Sequence, residues 1–322
     1  MTLRIGLLGA SRIAPKAIIA PAQMREDVVI AAVAARDLGR AQAYAETHGI
    51  GLALGGYEAL IERRDIDLIY CALPPAAHVE PCVAALQAGK ALLVEKPFAM
   101  NARGAQVIAD AAAGAGRPAL EAFHYRFHSQ FHRALDIVAQ GRLGRLVRAE
   151  GVFDALIGRN PGQLRWDPAQ GGGGLMDLGC YVIHALRLLV GEEPTVTDAH
   201  AELEQGVDAQ MSLELAFPGG VVAKASSCMT RPRCDWIQLE GEHGVLRLDG
   251  FVSPQYAGLL TLTVDGAQIK ESAEGAGSYD CQLAHVVEVM QGRAQPLTGG
   301  ADAVATMAVI DAARQAVGMR ID

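Results

Sequence analysis

The first 121 residues alternate short apolar runs with helical patterns, and this alternation constrains the fold more than any other feature. Parallel strands need a crossover connection, usually a helix, to bring the chain back to the same edge of the sheet. The pattern therefore predicts βαβ units in a doubly wound parallel sheet over residues 1–121. The strand-like runs lie at residues 3–9, 28–35, 68–74, 91–96 and 118–123.

A different pattern begins near residue 122. After one predicted helix at 126–140, apolar and polar residues alternate in long stretches broken by turn signals such as Pro218-Gly219-Gly220. This is typical of a mostly antiparallel sheet with one open face, and two helices near 279–291 and 300–316 close the chain. We predict an α/β chain whose second domain, residues 122–322, is α+β. We expect it to form a homodimer or higher homo-oligomer through the open face.

Composition excludes several classes of protein. The chain has 322 residues, is 51% hydrophobic and carries a net charge of −8 without a Lys/Arg cluster, which argues against nucleic acid and anionic membranes. No apolar stretch approaches the roughly 18 residues of a membrane helix, and the N-terminus does not resemble a signal peptide. The six cysteines lack a C-x-x-C pair, so we expect reduced thiols, a cytoplasmic protein and no structural metal.

A small-residue turn follows the first predicted strand. The segment Gly9-Ala10-Ser11-Arg12-Ile13-Ala14 matches the dinucleotide fingerprint G-x-G-x-x-G/A, with Ser11 at the middle glycine. A small Ser11 still lets the backbone approach a pyrophosphate, whose charge the helix N-terminus stabilises. Gly9, Ser11, Arg12 and Ile13 are therefore candidate cofactor residues in a Rossmann-type domain. The alternative is an ordinary strand–helix turn.

The end of the second strand predicts the choice of cofactor. NAD sites usually place a carboxylate there for the ribose 2′-hydroxyl, whereas this strand ends in Ala35-Arg36. A guanidinium can hold a 2′-phosphate but cannot accept a hydrogen bond from a hydroxyl. We therefore predict NADP, with NAD also possible, and expect Asp37 to cap the next helix. The alternative is a solvated Arg36 at the helix start.

Two further segments carry chemistry. The apolar strand at 91–94 stops at Glu95-Lys96-Pro97, and ligands of open α/β sheets bind beyond the carboxyl ends of strands. Lys96 is therefore placed to act on a substrate, although a plain surface lysine is the alternative. In GGGGLMDLGCYVIH (171–184), the side chains of Asp177, Tyr181 and His184 share one helical face. They form either a functional site or a structural hydrogen-bond set.

These motifs, in their order, resemble the glucose-fructose oxidoreductase / inositol dehydrogenase (Gfo/Idh/MocA) family over essentially the whole chain. The resemblance rests on GASRIA, EKP, YRFH (125–128) and RWDP followed by GGGGLMDLGCY. It is closest to the branch of NADP-dependent D-xylose and dihydrodiol dehydrogenases. It implies a catalytic Lys96 and places Asp177 and Tyr181 at the substrate, with Tyr181 where inositol dehydrogenases carry a histidine.

The resemblance also extends the candidate sites. It adds Pro74, His78, Glu95 and Lys96 to the cofactor residues, although Leu73-Pro74-Pro75 departs from the usual Thr-Pro-Asn and His78 can be a packing residue. The segment 121–133 borders the substrate pocket in the family. Candidate substrate contacts are Tyr125, Arg126, His128, Arg165, Trp166 and His184, with Trp166 offering an apolar face and Arg165 suiting an acidic substrate.

A metal site is the alternative reading of three histidines. His124, His128 and His132 are spaced i, i+4 and i+8, so on one helix they would share a face. No carboxylate or cysteine joins them at ligand spacing. We therefore predict no metal.

The chemistry of Tyr181 and Lys96 fits oxidation of a carbinol. Hydride transfer from a carbinol also requires removal of the hydroxyl proton, and an unperturbed phenol titrates near 10. An adjacent ammonium stabilises the phenolate, so Lys96 would lower the pKa of Tyr181 and orient the substrate oxygen. Asp177 would bind a second hydroxyl of the substrate. His184, one turn beyond Tyr181, would be a supporting or core histidine.

Three functions remain open. The leading one is an NAD(P)-dependent oxidoreductase acting on a sugar, polyol or cyclic diol. A second uses tightly bound NAD(P) in glycoside cleavage, but such enzymes tend to carry histidine where this chain has Tyr181. The third is a non-catalytic cofactor-binding regulatory protein, which would not need Lys96, Asp177 and Tyr181 together.

Overall fold

The computed structural model describes residues 2–321, which divide into two compact units. The first comprises the residues up to 123 together with 279–304, and the second comprises 124–278 with the residues from 305 onward. The sequence predicted a single division after residue 121, so the return of 279–304 to the first unit is a structural finding.

A six-stranded parallel sheet forms the centre of the first unit, as predicted. The strand order is β3-β2-β1-β4-β5-β6, which reverses direction beside β1, so the sheet is doubly wound. Its strands are β1 (Leu3–Leu8), β2 (Val28–Ala35), β3 (Ala53–Gly55), β4 (Leu68–Cys71), β5 (Ala91–Val94) and β6 (Ala119–Glu121).

Helices separate these strands, and polar caps fix where the longer ones begin. Asp37 caps α2 as predicted, accepting from the N–H of Arg40 at 2.7 Å, and Asn101 caps α5 in the same way from Gly104 at 2.8 Å. The helices are α1 (Ala20–Gln23), which follows a π-helical turn at Pro15–Ile19, α2 (Leu38–His48), α3 (Glu58–Ile61), α4 (Val79–Gln87) and α5 (Ala102–Ala115).

The remaining helices belong to the second half of the chain. The predicted helix at 126–140 is interrupted, because a 3₁₀ turn at His124–Phe127 precedes the helix proper. The helices are α6 (Ser129–Ala139), α7 (Cys180–Val190), α8 (Pro254–Ala257), α9 (Ser278–Met290) and α10 (Ala301–Ala316).

The second unit contains an eight-stranded sheet in the order β14-β13-β12-β11-β7-β10-β9-β8. Neighbouring strands run antiparallel except β7 and β10, which pair in parallel, so the sheet is mostly antiparallel as predicted. Its strands are β7 (Leu146–Asp154), β8 (Thr195–Glu204), β9 (Val207–Ala216), β10 (Val222–Cys228), β11 (Cys234–Gly241), β12 (Gly244–Asp249), β13 (Leu259–Val264) and β14 (Ala267–Ser272).

Helix α9 explains the composition of the first unit. Its Leu283, Val286 and Val287 are almost fully buried in the same apolar cluster as Ile5 and Leu7 of β1. Burying apolar side chains of this size stabilises a fold by about 1.5–3 kcal/mol each. This packing brings residues 279–304 into the unit that holds the parallel sheet.

Helix α7 lies against β7, β10 and β11 on the covered face of the second sheet. The segment Pro168–Val190, which includes α7, is long and apolar enough to cross a membrane by length and composition alone. However, 83% of its most apolar window is buried inside the protein. It is therefore a core helix, and its apolar residues serve packing.

Candidate functional site

The turn after β1 requires glycine at its first position. Gly9 has φ +99°, and its N–H donates to the carbonyl of Ala34 at 2.9 Å. A Cβ at Gly9 would lie 3.0 Å from a methyl group of Leu73 and 3.2 Å from the carbonyl oxygen of Ala72. Only glycine adopts this conformation without strain and avoids these contacts. The turn therefore packs closely against the segment after β4, and pyrophosphate binding at Gly9 stays a prediction.

Ser11 has a structural role of its own at the middle position of the fingerprint. Its Oγ accepts from the N–H of Ala14 at 3.2 Å, which satisfies one donor at the start of the helix. Its carbonyl accepts from the hydroxyl of Tyr44 at 2.9 Å. Arg12 is exposed and Ile13 is half-buried against the core. The serine at the fingerprint position therefore ties the turn to Ala14, the residue that precedes the helical turn.

Two guanidinium groups lie near the tip of β2. Arg36 is exposed just beyond the strand, and Arg40 donates from Nη2 to the carbonyl of Ala10 at 2.9 Å. Burial raises the pKa of Tyr57, while the charge of Arg36 and a hydrogen bond with it act in the opposite direction. Arg36 thus reaches Tyr57, and Arg40 reaches the fingerprint turn. The sequence analysis missed Arg40, although it lies one turn after Arg36.

The ends of β4 and β5 hold the predicted lysine. Glu95 is bound twice to β4: its N–H donates to the carbonyl of Cys71 at 2.9 Å, and its carboxylate accepts from the hydroxyl of Tyr70. Lys96 follows at the carboxyl end of β5, is half-buried, and precedes Pro97 through a cis peptide bond. Glu95 is therefore anchored to the sheet, and Lys96 stands where ligands of such sheets bind.

His78 was predicted as a cofactor contact, with a packing role as the alternative. Its side chain is fully buried. Its ring nitrogens lie 2.8 Å from the carbonyl oxygen of Leu73 and 3.2 Å from that of Phe98, and burial lowers its pKa. His78 therefore joins the loops that follow β4 and β5. Through the Leu73 carbonyl it positions the next residue, Pro74, which is half-buried. Through the Phe98 carbonyl it positions the segment after Lys96.

In the second unit, the four glycines before the helix make room for protein atoms. A Cβ at Gly172 would lie 2.7 Å from the carbonyl oxygen of Arg165 and 2.8 Å from that of Asp167. Gly173 has φ +123°, and a Cβ there would overlap the carboxylate of Asp208. The sequence suggested a close approach to a ligand. The structure shows a close approach to the chain itself.

Asp208 on β9 holds the start of this helix. Its Oδ2 accepts from the N–H of Leu175 at 2.6 Å, and the side chain is almost fully buried. Burial raises the pKa of Asp208 to about 6, although the backbone donors at Leu175 and Gly174 oppose the change. No motif in the sequence marked this residue.

Asp177 and Arg165 form an ion pair. Nε of Arg165 lies 2.5 Å from Oδ2 of Asp177, whose side chain is 14% exposed. Asp177 lies in a π-helical turn, Leu175–Gly179, that leads into α7. Arg165 was predicted to suit an acidic substrate. The nearby carboxylate compensates its charge, which weakens that prediction.

Tyr181 lies on α7 in an aromatic cage and is 6% exposed. Its ring centroid is 5.6 Å from that of Phe153 and 5.9 Å from those of His124 and Tyr125. Edge-to-face and tilted contacts of this kind hold a ring in one orientation. Tyr181 is therefore a rigidly placed phenol with little exposed surface.

Tyr125 and His184 were predicted as substrate contacts. Both are fully buried, and the Tyr125 hydroxyl lies 2.6 Å from Nδ1 of His184. The Tyr125 ring also packs against the Tyr181 ring. This arrangement fits a pair that supports Tyr181, and contact of either residue with substrate stays a prediction.

Trp166 was predicted to offer an apolar face to a substrate. Its side chain is buried, its indole N–H donates to the carbonyl of Ile157 at 3.2 Å, and the Arg159 guanidinium lies over its ring at 4.4 Å. The cation covers one face of the ring, and stacking of Trp166 on a substrate stays a prediction.

The three histidines do not share a helical face. His124 lies in the 3₁₀ turn, whereas Nδ1 of His128 accepts from the N–H of Gln130 at 3.1 Å and caps α6. His132 is exposed and lies 3.5 Å from half-buried Arg126. His128 is buried, so it does not present a contact surface. Within residues 2–321, no group of three or more potential ligands is arranged to hold a metal ion.

A doubly wound sheet with a dinucleotide turn, followed in one chain by a unit that presents a caged phenol, defines a class: the nicotinamide-dependent oxidoreductases. Residues 3–123 match the oxidoreductase family with an NAD-binding Rossmann fold, and residues 131–247 match the GFO/IDH/MocA C-terminal domain. The chain belongs to the Gfo/Idh/MocA family, as its motifs predicted.

Individual relatives match over most of the chain. It is 32% identical to D-xylose 1-dehydrogenase (NADP(+)) 2 of Haloferax volcanii over 313 residues, 96% of each chain. It is 32% identical to trans-1,2-dihydrobenzene-1,2-diol dehydrogenase of Mus musculus over 260 residues, 79% of this chain and 77% of that one. The glycerol complex of aldose-aldose oxidoreductase from Caulobacter crescentus superposes with a TM-score of 0.90 at 26% identity, covering 98% and 97% of the two chains.

Proposed function

We propose that this protein is an NADP-preferring dehydrogenase or reductase that acts on a CH–OH group of a neutral sugar, polyol or cyclic diol. The observation that carries the proposal is Tyr181, a phenol held in an aromatic cage with 6% of its surface exposed. The relatives that act on D-xylose and on a dihydrodiol support the substrate class, since both substrates carry adjacent hydroxyls.

Arg36 and Arg40 support the preference for NADP. Both are exposed guanidinium groups, one beyond β2 and one bonded to the fingerprint turn. Guanidinium groups bind phosphate oxygens through two parallel N–H donors. The turn at Gly9 and Ser11 would hold the pyrophosphate. The bound nicotinamide supplies the hydride acceptor in oxidation and the hydride donor in reduction.

Lys96 and Tyr181 would handle the proton. In oxidation, the carbinol hydroxyl would give its proton to the Tyr181 oxygen, and the hydride of the carbinol C–H bond would be accepted by the bound cofactor. The ammonium of Lys96 would stabilise the phenolate and orient the substrate oxygen. In reduction, Tyr181 would return the proton to the nascent alkoxide.

Asp177 would bind a second substrate hydroxyl. Its carboxylate can accept a hydrogen bond while it keeps the contact with Arg165. Because this pair is close to neutral overall, it favours an uncharged polyol over an acidic sugar. The proposal therefore excludes sugar acids as preferred substrates.

An activity screen tests the proposal. The purified protein is incubated with NADP or NAD and with D-xylose, other aldoses, linear polyols or a trans-dihydrodiol, and nicotinamide reduction is followed at 340 nm. We expect turnover of at least one neutral substrate with NADP. Lys96→Met should remove most turnover while NADP still binds, as measured by calorimetry. NADP binding without turnover of any of these substrates would contradict the proposal and favour a regulatory protein.

We also propose a homodimer or higher homo-oligomer in the cytoplasm. The open face of the eight-stranded sheet is the surface proposed for self-association. All six cysteines are free thiols, four of them buried, which is typical of a reducing compartment.

A further inference from the structure

Ser278 and Gln255 hold His124 through two successive hydrogen bonds. Its Nδ1 lies 2.8 Å from the Oγ of Ser278, and Ser278 Oγ lies 3.2 Å from Oε1 of Gln255. The N–H of Ser278 also points to Oε1 of Gln255, at 3.4 Å. His124 itself is 2% exposed. Ser278 therefore fixes the imidazole directly, and Gln255 fixes Ser278. Both of these side chains are neutral.

The direction of these bonds determines which nitrogen carries the proton. Oε1 of Gln255 can only accept, so Ser278 uses its one hydroxyl proton to donate to it. Ser278 Oγ must then accept from His124, which requires a proton on Nδ1. In the neutral imidazole, Nε2 consequently carries a lone pair. Any group that meets Nε2 must donate.

The His124 ring stands edge-on to Tyr181, with 5.9 Å between centroids and 70° between planes. A phenol hydroxyl is a donor of the kind that Nε2 requires. We propose that His124 is a positioning residue that accepts a hydrogen bond from the Tyr181 hydroxyl through Nε2 and receives its proton during oxidation. This inference rests on the proposed function, because it concerns the proton that oxidation releases.

The proton transfers balance. In oxidation, Tyr181 would give its hydroxyl proton to Nε2 of His124, and the resulting phenolate would take the carbinol O–H proton while the bound oxidised nicotinamide would accept the hydride from the carbinol carbon. The resulting imidazolium keeps its Nδ1 bond to Ser278 and then loses one proton to water. In reduction the same steps run backwards, with a proton taken from water.

Other groups near Tyr181 are less suited than His124 to accept the Tyr181 proton. Within the second unit, the titratable rings in contact with Tyr181 are those of His124 and Tyr125, and the Tyr125 hydroxyl lies against His184. Asp177 lies four residues before Tyr181 and is paired with Arg165. The Tyr125 hydroxyl is bonded to His184, and both are fully buried. Arg233 lies over Phe153, 5.5 Å from that ring, and cannot accept a proton.

Two substitutions separate the two nitrogens of His124. Asparagine can keep a donor near Nδ1 for Ser278 but has nothing at Nε2. Glutamine can place an amide oxygen near Nε2, which accepts a hydrogen bond but does not take up a proton. We expect His124→Asn to lower kcat by about 10²-fold and His124→Gln by about tenfold, both with little change in KM. The acidic limb of the kcat pH profile should disappear in both variants.

Nitrogen-15 NMR of histidine-labelled protein tests the tautomer without any turnover. The His124 signals, assigned by their loss in His124→Asn, should show a protonated Nδ1 and an unprotonated Nε2. Ser278→Ala should allow the other tautomer, and Tyr181→Phe should shift the Nε2 resonance. A protonated Nε2 in the wild-type protein, or an Nε2 resonance unaffected by Tyr181→Phe, would overturn the proposal.

The kinetic and NMR tests distinguish an error in the proposed function from an error in the role of His124. If the wild-type protein turns over no substrate, the proposed function is wrong, and the NMR result alone decides the role of His124. If the wild-type protein is active and His124→Asn keeps its kcat and pH profile, the proposed function stands and the inference about His124 is wrong. A change in melting temperature alone, with an unaltered pH profile, would assign His124 a structural role.

Discussion

We predict that the choice of cofactor depends most directly on Arg36. We expect the wild-type protein to prefer NADP over NAD by at least about tenfold in kcat/KM, which corresponds to roughly 1.4 kcal/mol. Arg36→Ala should remove most of this preference, while Arg36→Lys, which keeps the charge but loses the planar donor pair, should retain part of it. The measurement is kcat/KM with each cofactor. Equal use of both cofactors by the wild-type protein would contradict the assignment.

Asp208 gives stability a pH dependence whose sign can be worked out. Burial raises its pKa from 3.8 to about 6, so between these values the folded state binds more protons than the unfolded state. The free energy of unfolding should therefore fall by about 2–3 kcal/mol from this group as pH rises from 4 to 7.

Asp208→Asn tests this account, because the amide does not titrate and its oxygen can still accept from Leu175. Urea denaturation at pH 4.5 and 7 should show that wild-type stability falls relative to the variant as pH rises. A difference between the two proteins that does not vary with pH would show that Asp208 titrates normally.

At the scale of single elements, position 173 in the glycine turn before α7 should tolerate no side chain. Gly173→Ala forces φ +123° on a residue with a Cβ and drives that Cβ into Asp208, so we expect a loss of about 3 kcal/mol or more. Gly191→Ala at the other end of α7 is the control. Its φ is +78° with no atom within 4 Å of the added Cβ, so it should cost only about 1 kcal/mol. Equal melting temperatures for the Gly173→Ala and Gly191→Ala variants would contradict this account.

Periodicity predicted the elements that bury one face and missed those that do not. Strand β14 lies at one edge of the second sheet and is exposed along nearly its whole length, so it does not alternate clearly. Strand β3 and helix α3 have three and four residues, too few for a periodic signal. The parallel pairing of β7 with β10 depends on long-range topology, which local patterns do not encode.

The same distinction applies to the site. The sequence placed Lys96 at a strand end and Tyr181 on the helix after the glycines, because local motifs determine both positions. His78, Tyr125 and Trp166 were predicted as ligand contacts, but segments distant in sequence bury them. Their partners, and the carboxylate of Asp208, come from tertiary packing. A single sequence contains no local signal for such pairs.

At the scale of the whole molecule, the open face of the second sheet should mediate self-association. Ser226 of β10 lies between Val152 and Ser212 in the pairing register, at the centre of the sheet. Ser226→Glu should place a repelling charge in the interface, whereas Thr263→Glu on β13, near the edge, should have a smaller effect. Light scattering should give a multiple of 33.9 kDa for the wild-type protein and a smaller particle for Ser226→Glu. A wild-type particle of 33.9 kDa at all concentrations would contradict this prediction.

The pH dependence of kcat/KM in Tyr181→Phe tests the central claim most directly. This substitution keeps the ring in its aromatic cage and deletes only the hydroxyl. We expect the rate of oxidation to fall by about 10²–10⁴-fold, the range typical of a positioned acid or base. We also expect the wild-type dependence on the basic side to disappear, because the titrating phenol is gone. Near-normal turnover with an unchanged pH profile would show that the proton leaves the substrate by another route.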